Sequence, residues 1–186
     1  MKNKFLKNKK GFTLIETMVA VFILSVALVS LLTLISNTIF YAKYAEKEII
    51  ANYLMQEVVD SIKNERSSNI LSPNPSSWED FVNKFEECNN ANGCRIDAKV
   101  GSSSITPCVS NDDNVCESLI YHENPYNGSF YNYDNSDSNG KNSGFVRKII
   151  ISSNDHEMKM EVTVFWKSGL TNNEVSLNAS VLDWLK

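Results

Sequence analysis

KKGFTLIETMVAVFILSVALVSLL, Lys9 to Leu32, is the stretch on which the reading of this chain turns. A basic leader ends at Gly11, and an apolar run starts at once with Phe12. Glu16 is the single charge in that run. The next charged residue is Lys43, so 26 uncharged residues separate the two. About 20 apolar helical residues suffice to cross the hydrocarbon core of a bilayer. A secretory signal peptide would instead have an apolar core of about 7–15 residues and a small-residue cleavage site on its far side. Here the apolar run is too long, and the plausible cut lies before it, between Gly11 and Phe12. An uncleaved signal anchor would share the basic-inside orientation, but it gives no reason for a carboxylate at Glu16.

Working outward, residues 12 to about 66 contain no Pro and no Gly and read as one long helix. At ~1.5 Å per residue, such a helix would be about 80 Å long. Residues 12–40 are apolar on every face, as a membrane span or a filament core requires. Ser25, Ser30, Thr33, Ser36, Asn37 and Thr38 interrupt this part only mildly. Residues 41–66 are amphipathic. Tyr41, Tyr44, Ala45, Ala51, Leu54, Met55, Val58, Val59 and Ile62 fall at three- and four-residue steps, the pattern of a helix lying on a sheet. Ser67, Ser68, Asn69, Pro73 and Pro75 end the helix.

A short second helix is expected over 76–87, with Ser76-x-x-Glu79 and Ser77-x-x-Asp80 as rival capping boxes. Weak strands are expected at Arg95–Val100 and Ser118–Tyr121. The clearest β region is 145–184, where Met158, Met160, Val162, Val164 and Trp166 share one face of a strand. Val175, Leu177, Ala179 and Val181 repeat that alternation, and intervening turn residues suggest hairpins. The expected fold class is therefore α+β, a long N-terminal helix packed on a C-terminal antiparallel sheet.

Lysine-rich leader, Gly11, Phe12, Glu16 and the uninterrupted apolar helix together resemble the prepilin signal of type IV pilins and type II secretion pseudopilins. The resemblance covers about a sixth of the chain. It implies a leader at residues 1–11, a transmembrane or filament-core helix at 12–40, the amphipathic half of that helix at 41–66, and an extracytoplasmic head at 67–186. It implies cleavage between Gly11 and Phe12 by a prepilin peptidase and N-methylation of Phe12. Glu16 would pair with the Phe12 amine of a neighbouring subunit during assembly. The implied partners are that peptidase, other pilin or pseudopilin subunits and the inner (cytoplasmic) membrane, which a single pass would cross. Many major pilins have Pro or Gly inside the apolar half of this helix, and this chain has neither. That departure, with the segment Ile50–Asn64, resembles minor subunits of the PilV-like or GspI-like kind. Alternatives are a DNA-uptake minor pilin and a signal-anchored extracytoplasmic enzyme or binding domain.

Charge and composition limit these alternatives. Net charge is −4, and loss of the five leader lysines leaves 13 basic against 22 acidic side chains, net −9. Sequence-independent binding of nucleic acid needs a basic surface, so no nucleic-acid partner is expected. Cys88, Cys94, Cys108 and Cys116 lie beyond the span, where disulfides form, and allow three pairings. The sequence-local pairing, 88 with 94 and 108 with 116, is slightly preferred. Their spacing does not suit zinc. Asp134, Asn135, Asp137 and Asn139 before Gly140 resemble the opening of a calcium loop, but Val146 occupies the far ligand position. They are weak calcium candidates, and no other cofactor is implied. His122 and His156 adjoin no nucleophile motif, so catalysis is not expected.

Overall fold

A computed structural model describes residues 11–109, 116–123, 128–134 and 139–183. It is α+β, and its chain forms two compact units, Met1–Ala45 and Glu46–Lys186. Helix α1, Leu14–Ile70, contributes to both. The second unit is built on the part of α1 beyond Glu46. There Ala51, Leu54, Met55, Val58, Val59 and Ile62 are buried against an antiparallel sheet. Full burial of a side chain such as Leu54, Met55 or Ile62 contributes about 1.5–3 kcal/mol. The expected apolar stripe holds from Ala51 onward, whereas Tyr41 and Ala45, in the first unit, are exposed.

The helix runs to Ile70, four residues past the expected end. Asn69 then closes it: its side-chain oxygen accepts the Ser76 amide at 2.8 Å across the turn holding Pro73 and Pro75. Helix α2 is shorter than expected, Trp78–Asn83, followed by a 3-10 turn at Glu86–Cys88. Of the two capping boxes, Ser77 and Asp80 form the real one, each side chain bonding the other's backbone.

Among the described residues the sheet has seven strands: β1 (Cys94–Arg95), β2 (Thr106–Pro107), β3 (Ser118–His122), β4 (Phe130–Asn132), β5 (Lys141–Ser153), β6 (Glu157–Ser168) and β7 (Thr171–Leu182). β5 is central. One of its edges pairs with β3 near its start and with β1 at Ile149, and the other pairs with β6. β6 continues to β7 in an unbroken register from Ser168↔Thr171 to Glu157↔Leu182. Met158, Met160, Val162, Val164 and Trp166 are all buried, on the face read from the sequence. On β7 only Val181 is buried; Val175, Leu177 and Ala179 are half-buried at the sheet's edge.

The strand expected over Arg95–Val100 stops at Arg95. Asp97 turns the chain instead. Its carboxylate accepts the Lys99 amide, its carbonyl accepts the amides of Val100 and Gly101, and its own amide donates to Ser104 Oγ. Side chains that bond their own backbone compete with ladder pairing. Just before β1, Gly93 has φ +69°, and a Cβ there would lie 2.5 Å from the Ile149 carbonyl oxygen. Only glycine lets the segment approach β5 this closely.

Among the described residues, two arginines are buried in this core. Arg147 alternates with Phe145, Ile149 and Ile151 on the helix-facing side of β5 and is fully buried. Its guanidinium donates to the Leu54 carbonyl at 2.8 Å, to Glu57 Oε2 at 3.1 Å and to the Ile96 carbonyl at 2.8 Å. Tyr133 stands beside it; burial raises the Tyr133 pKa, although Arg147 and Arg95 pull it down. Arg66 is also buried, bonded to Asp183 at 3.1 Å and lying 5.1 Å from the centre of the Trp78 ring. Nearby, Glu65 accepts from the Ser102 hydroxyl, the Ser102 amide at 3.1 Å and Lys84 Nζ at 3.0 Å. Burial raises its pKa, but these donors outweigh that effect and leave it below the ordinary 4.5.

Three outcomes are expected in unfolding experiments on the full chain in detergent. Arg147→Ala should lose about 3–5 kcal/mol, because the charge is removed and its buried acceptors stay behind; Arg147→Met, which refills the volume, should lose less. Gly93→Ala should be destabilising and should not be rescued by smaller neighbours at Lys148, since the clash is with backbone. Glu65 has a lowered folded pKa, so its contribution is complete above the unfolded value and fades as pH falls through the folded one. The melting difference between the native chain and Glu65→Gln should therefore be present at neutral pH and vanish in acid.

Candidate processing and assembly site

Residues 11–45 form the described part of the first unit. Gly11 and Phe12 precede the helix and are exposed, Phe12 at 81 %, and among the described residues no atom comes within 4 Å of where a Gly11 Cβ would stand. Among the described residues nothing requires glycine at position 11. The helix begins with a reciprocal cap. Thr13 Oγ1 accepts the Glu16 amide at 3.3 Å, and Glu16 Oε2 accepts the Thr13 amide at 3.5 Å. A Thr and a Glu three residues apart at a helix start satisfy two otherwise orphaned amides in this way. Glu16 therefore has a local role as well as its charge. The T-x-x-E pattern of a capping box stands in the sequence at Thr13 and Glu16.

Beyond Glu16 the helix surface is almost wholly apolar, with Leu, Ile, Val, Met and Phe side chains exposed from Leu14 to Phe40. None of its most apolar stretch is buried, and the helix is long and apolar enough to cross a membrane. The hydroxyls that interrupt it are internally satisfied. Thr17, Ser25 and Ser30 donate to carbonyls three residues back, and Thr33, Ser36 and Thr38 to carbonyls four back, at 2.7–3.0 Å. An unsatisfied polar group in hydrocarbon costs several kcal/mol, so these hydroxyls present little obstacle to lipid.

The cysteines pair as Cys88–Cys94 and Cys108–Cys116, with Cα separations of 4.7 and 4.6 Å, and all four are buried. The first bridge ties the 3-10 turn to β1. The second brackets residues 110–115, and Asp112 and Asp113 lie outside the described residues. Of the calcium candidates, Asn135 and Asp137 also lie outside them. Asp134 is exposed, and its amide donates to Asn132 Oδ1 at 3.2 Å. Among the described residues no group of three or more His, Cys, Asp or Glu could hold a metal. His122 is buried and stacks on Phe130 at 5.0 Å, while His156 lies exposed at the β5–β6 turn. The structure does not bring the two together.

The prokaryotic N-terminal methylation motif matches residues 6–32. That match supports a place in the type IV pilin and pseudopilin superfamily, and it implies processing by a prepilin peptidase. With the apolar helix it fits a single-pass anchor in the inner membrane. No curated protein and no solved structure matches the chain.

Thr13→Ala removes the acceptor for the Glu16 amide. It should cost the helix start about 0.5–2 kcal/mol, read as faster hydrogen exchange at the Glu16 amide in micelles, with exchange beyond Phe22 unchanged.

Proposed function

We propose that this chain is a structural minor subunit of a type IV pilus or type II secretion pseudopilus, helping to initiate or cap the filament. The observation that carries the reading is the junction at Gly11 and Phe12 with Glu16 in the first turn of an exposed apolar helix whose hydroxyls are self-satisfied. A prepilin peptidase cuts after Gly11. Glycine suits that position because a residue without a side chain fits a tight protease cleft in extended form, and among the described residues no contact explains it otherwise. Residues 1–11 leave, and Phe12 acquires a new amine that is then methylated.

Glu16 serves the next step. A carboxylate in the apolar phase costs roughly 2.5–3.5 kcal/mol on insertion scales and calls for a partner. Among the described residues it accepts from the Thr13 amide, at the long end of hydrogen-bond distance. The charged amine of Phe12 on a neighbouring subunit supplies the missing cation, so docking is favoured at the axial register that brings the two together. Residues 12–40 therefore occupy lipid before assembly and a helix bundle after it, while the head stays outside the membrane. The lack of Pro and Gly in the span keeps this helix from melting locally and favours a minor role over that of the main filament subunit.

The test is co-expression with a prepilin peptidase and mass spectrometry of the amino terminus. N-methylated Phe12 is expected, and an intact Met1 would overturn the proposal. Glu16→Ala should be cleaved normally yet enter filaments at least tenfold less well; normal entry would remove the pairing from the mechanism.

A further inference from the structure

Of the strands that end the sheet, β2 and β4 have two and three residues, whereas β7 has twelve. Among the described residues β7 pairs with β6 alone, so its other side is a free edge. A long exposed edge is a template for pairing with another chain, and monomeric proteins blunt it with Lys, Pro or a bulge. β7 has none of these. It reads TNNEVSLNASVL, without Lys or Pro, and its pairing with β6 runs from end to end without a bulge.

The β6–β7 turn fixes which groups stand at that edge. Gly169 and Leu170 make a two-residue loop, so the closing pair, Ser168 and Thr171, exchange both backbone bonds. From Thr171 onward every second residue of β7 bonds β6. Asn172, Glu174, Ser176, Asn178, Ser180 and Leu182 turn their N–H and C=O outward instead, and all six are exposed. On the helix-facing side Val175, Leu177 and Ala179 are only half-buried beside the open edge. A row of amides and carbonyls specifies its occupant, a backbone in extended form. Side chains narrow the choice. Glu174 is the one charge on β7, and among the described residues it has no ion-pair partner. Lys167 shares its face but stands opposite Asn172. Opposite charges across a strand pair are favourable and like charges are not. A second β7 has no basic residue to set against Glu174 in any register, so the strand does not complement itself.

From these observations we infer that the free edge of β7 takes up an extended segment of a different protein, with a Lys or Arg opposite Glu174. Alternate apolar residues of that segment continue the row of Val175, Leu177 and Ala179, and the segment becomes the outermost strand of the sheet. The inference concerns the second unit alone and does not depend on the filament reading.

The probe is a short blocked peptide of alternating Val and Thr with one Thr replaced by Lys, titrated into the full chain in neutral detergent and read by amide hydrogen exchange. It should slow exchange at Ser176, Asn178 and Ser180 and leave Leu177 and Ala179, already bonded to β6, as they were. Glu in place of the peptide's Lys should weaken binding about fivefold, and Glu174→Lys, a change at an exposed position, should reverse that preference. N-methylation of the peptide at its Thr and Lys positions, which face the edge, should weaken binding at least tenfold. Asn178→Pro removes an outward N–H without touching the β6 ladder, and should block the peptide with an unchanged circular dichroism spectrum. Equal binding of the methylated peptide, or no protection at the outward amides, would overturn pairing at the edge. Equal binding of the Lys and Glu peptides would overturn the basic partner. A dimer in sedimentation whose outward β7 amides are protected without peptide would give the edge to a second copy and overturn its assignment to a different protein.

Discussion

The second unit depends on a cation with no water around it. Arg147 joins four parts of the chain at one point: α1 through Leu54 and Glu57, the segment after β1 through Ile96, its own strand β5, and the loop after β4 through Tyr133. Taking a guanidinium out of water costs several kcal/mol. The cost is met by two carbonyls and by Glu57, whose side chain is 43 % exposed and so keeps part of its own hydration. An arginine suits this position because its planar fork reaches several acceptors in fixed directions, which a lysine cannot do. A purely apolar residue would pack equally well against a slipped helix; a guanidinium does not, because its acceptors move out of reach. Arg147 thus sets the register of helix on sheet.

The described charges of the two units are partnered differently. In the head, Arg147 and Arg66 find their partners within the same chain. Among the described residues, the Glu16 carboxylate at the start of the apolar helix bonds the amide of Thr13 within its own first turn.

Periodicity in the sequence was enough to place the long helix, its stripe from Ala51 to Ile62 and the core face of β6, because each is a repeated apolar pattern with one physical solution. The motif around Glu16 was readable because a charge in an apolar run is rare. What escaped was polar chemistry inside regular elements. Arg147 sits two residues from both Phe145 and Ile149, and Arg66 four residues after Ile62, so their spacing alone puts both on buried faces. Counting charged residues as surface hides them. The strand expected after Arg95 failed because Asp97 builds a turn from its own side chain, a contest that composition cannot decide. Thr13 was hidden by its more conspicuous partner.

The same arginine bears on the order in which the head assembles. β5, β6 and β7 form a meander whose partners are close in sequence, so its ladders close with little loss of chain entropy. The acceptors of Arg147 lie 93, 90 and 51 positions away along the chain. Contacts of that separation are late to close, since the intervening chain must be ordered first. We therefore expect the meander to be native-like in the folding transition state and Arg147 to reach its acceptors only afterwards. Substitutions at Arg147 would then speed unfolding while leaving refolding almost untouched, and a slowed refolding limb would contradict this order. A head in which that last step has not occurred still has its sheet, but the helix that leads into the membrane is not yet fixed upon it.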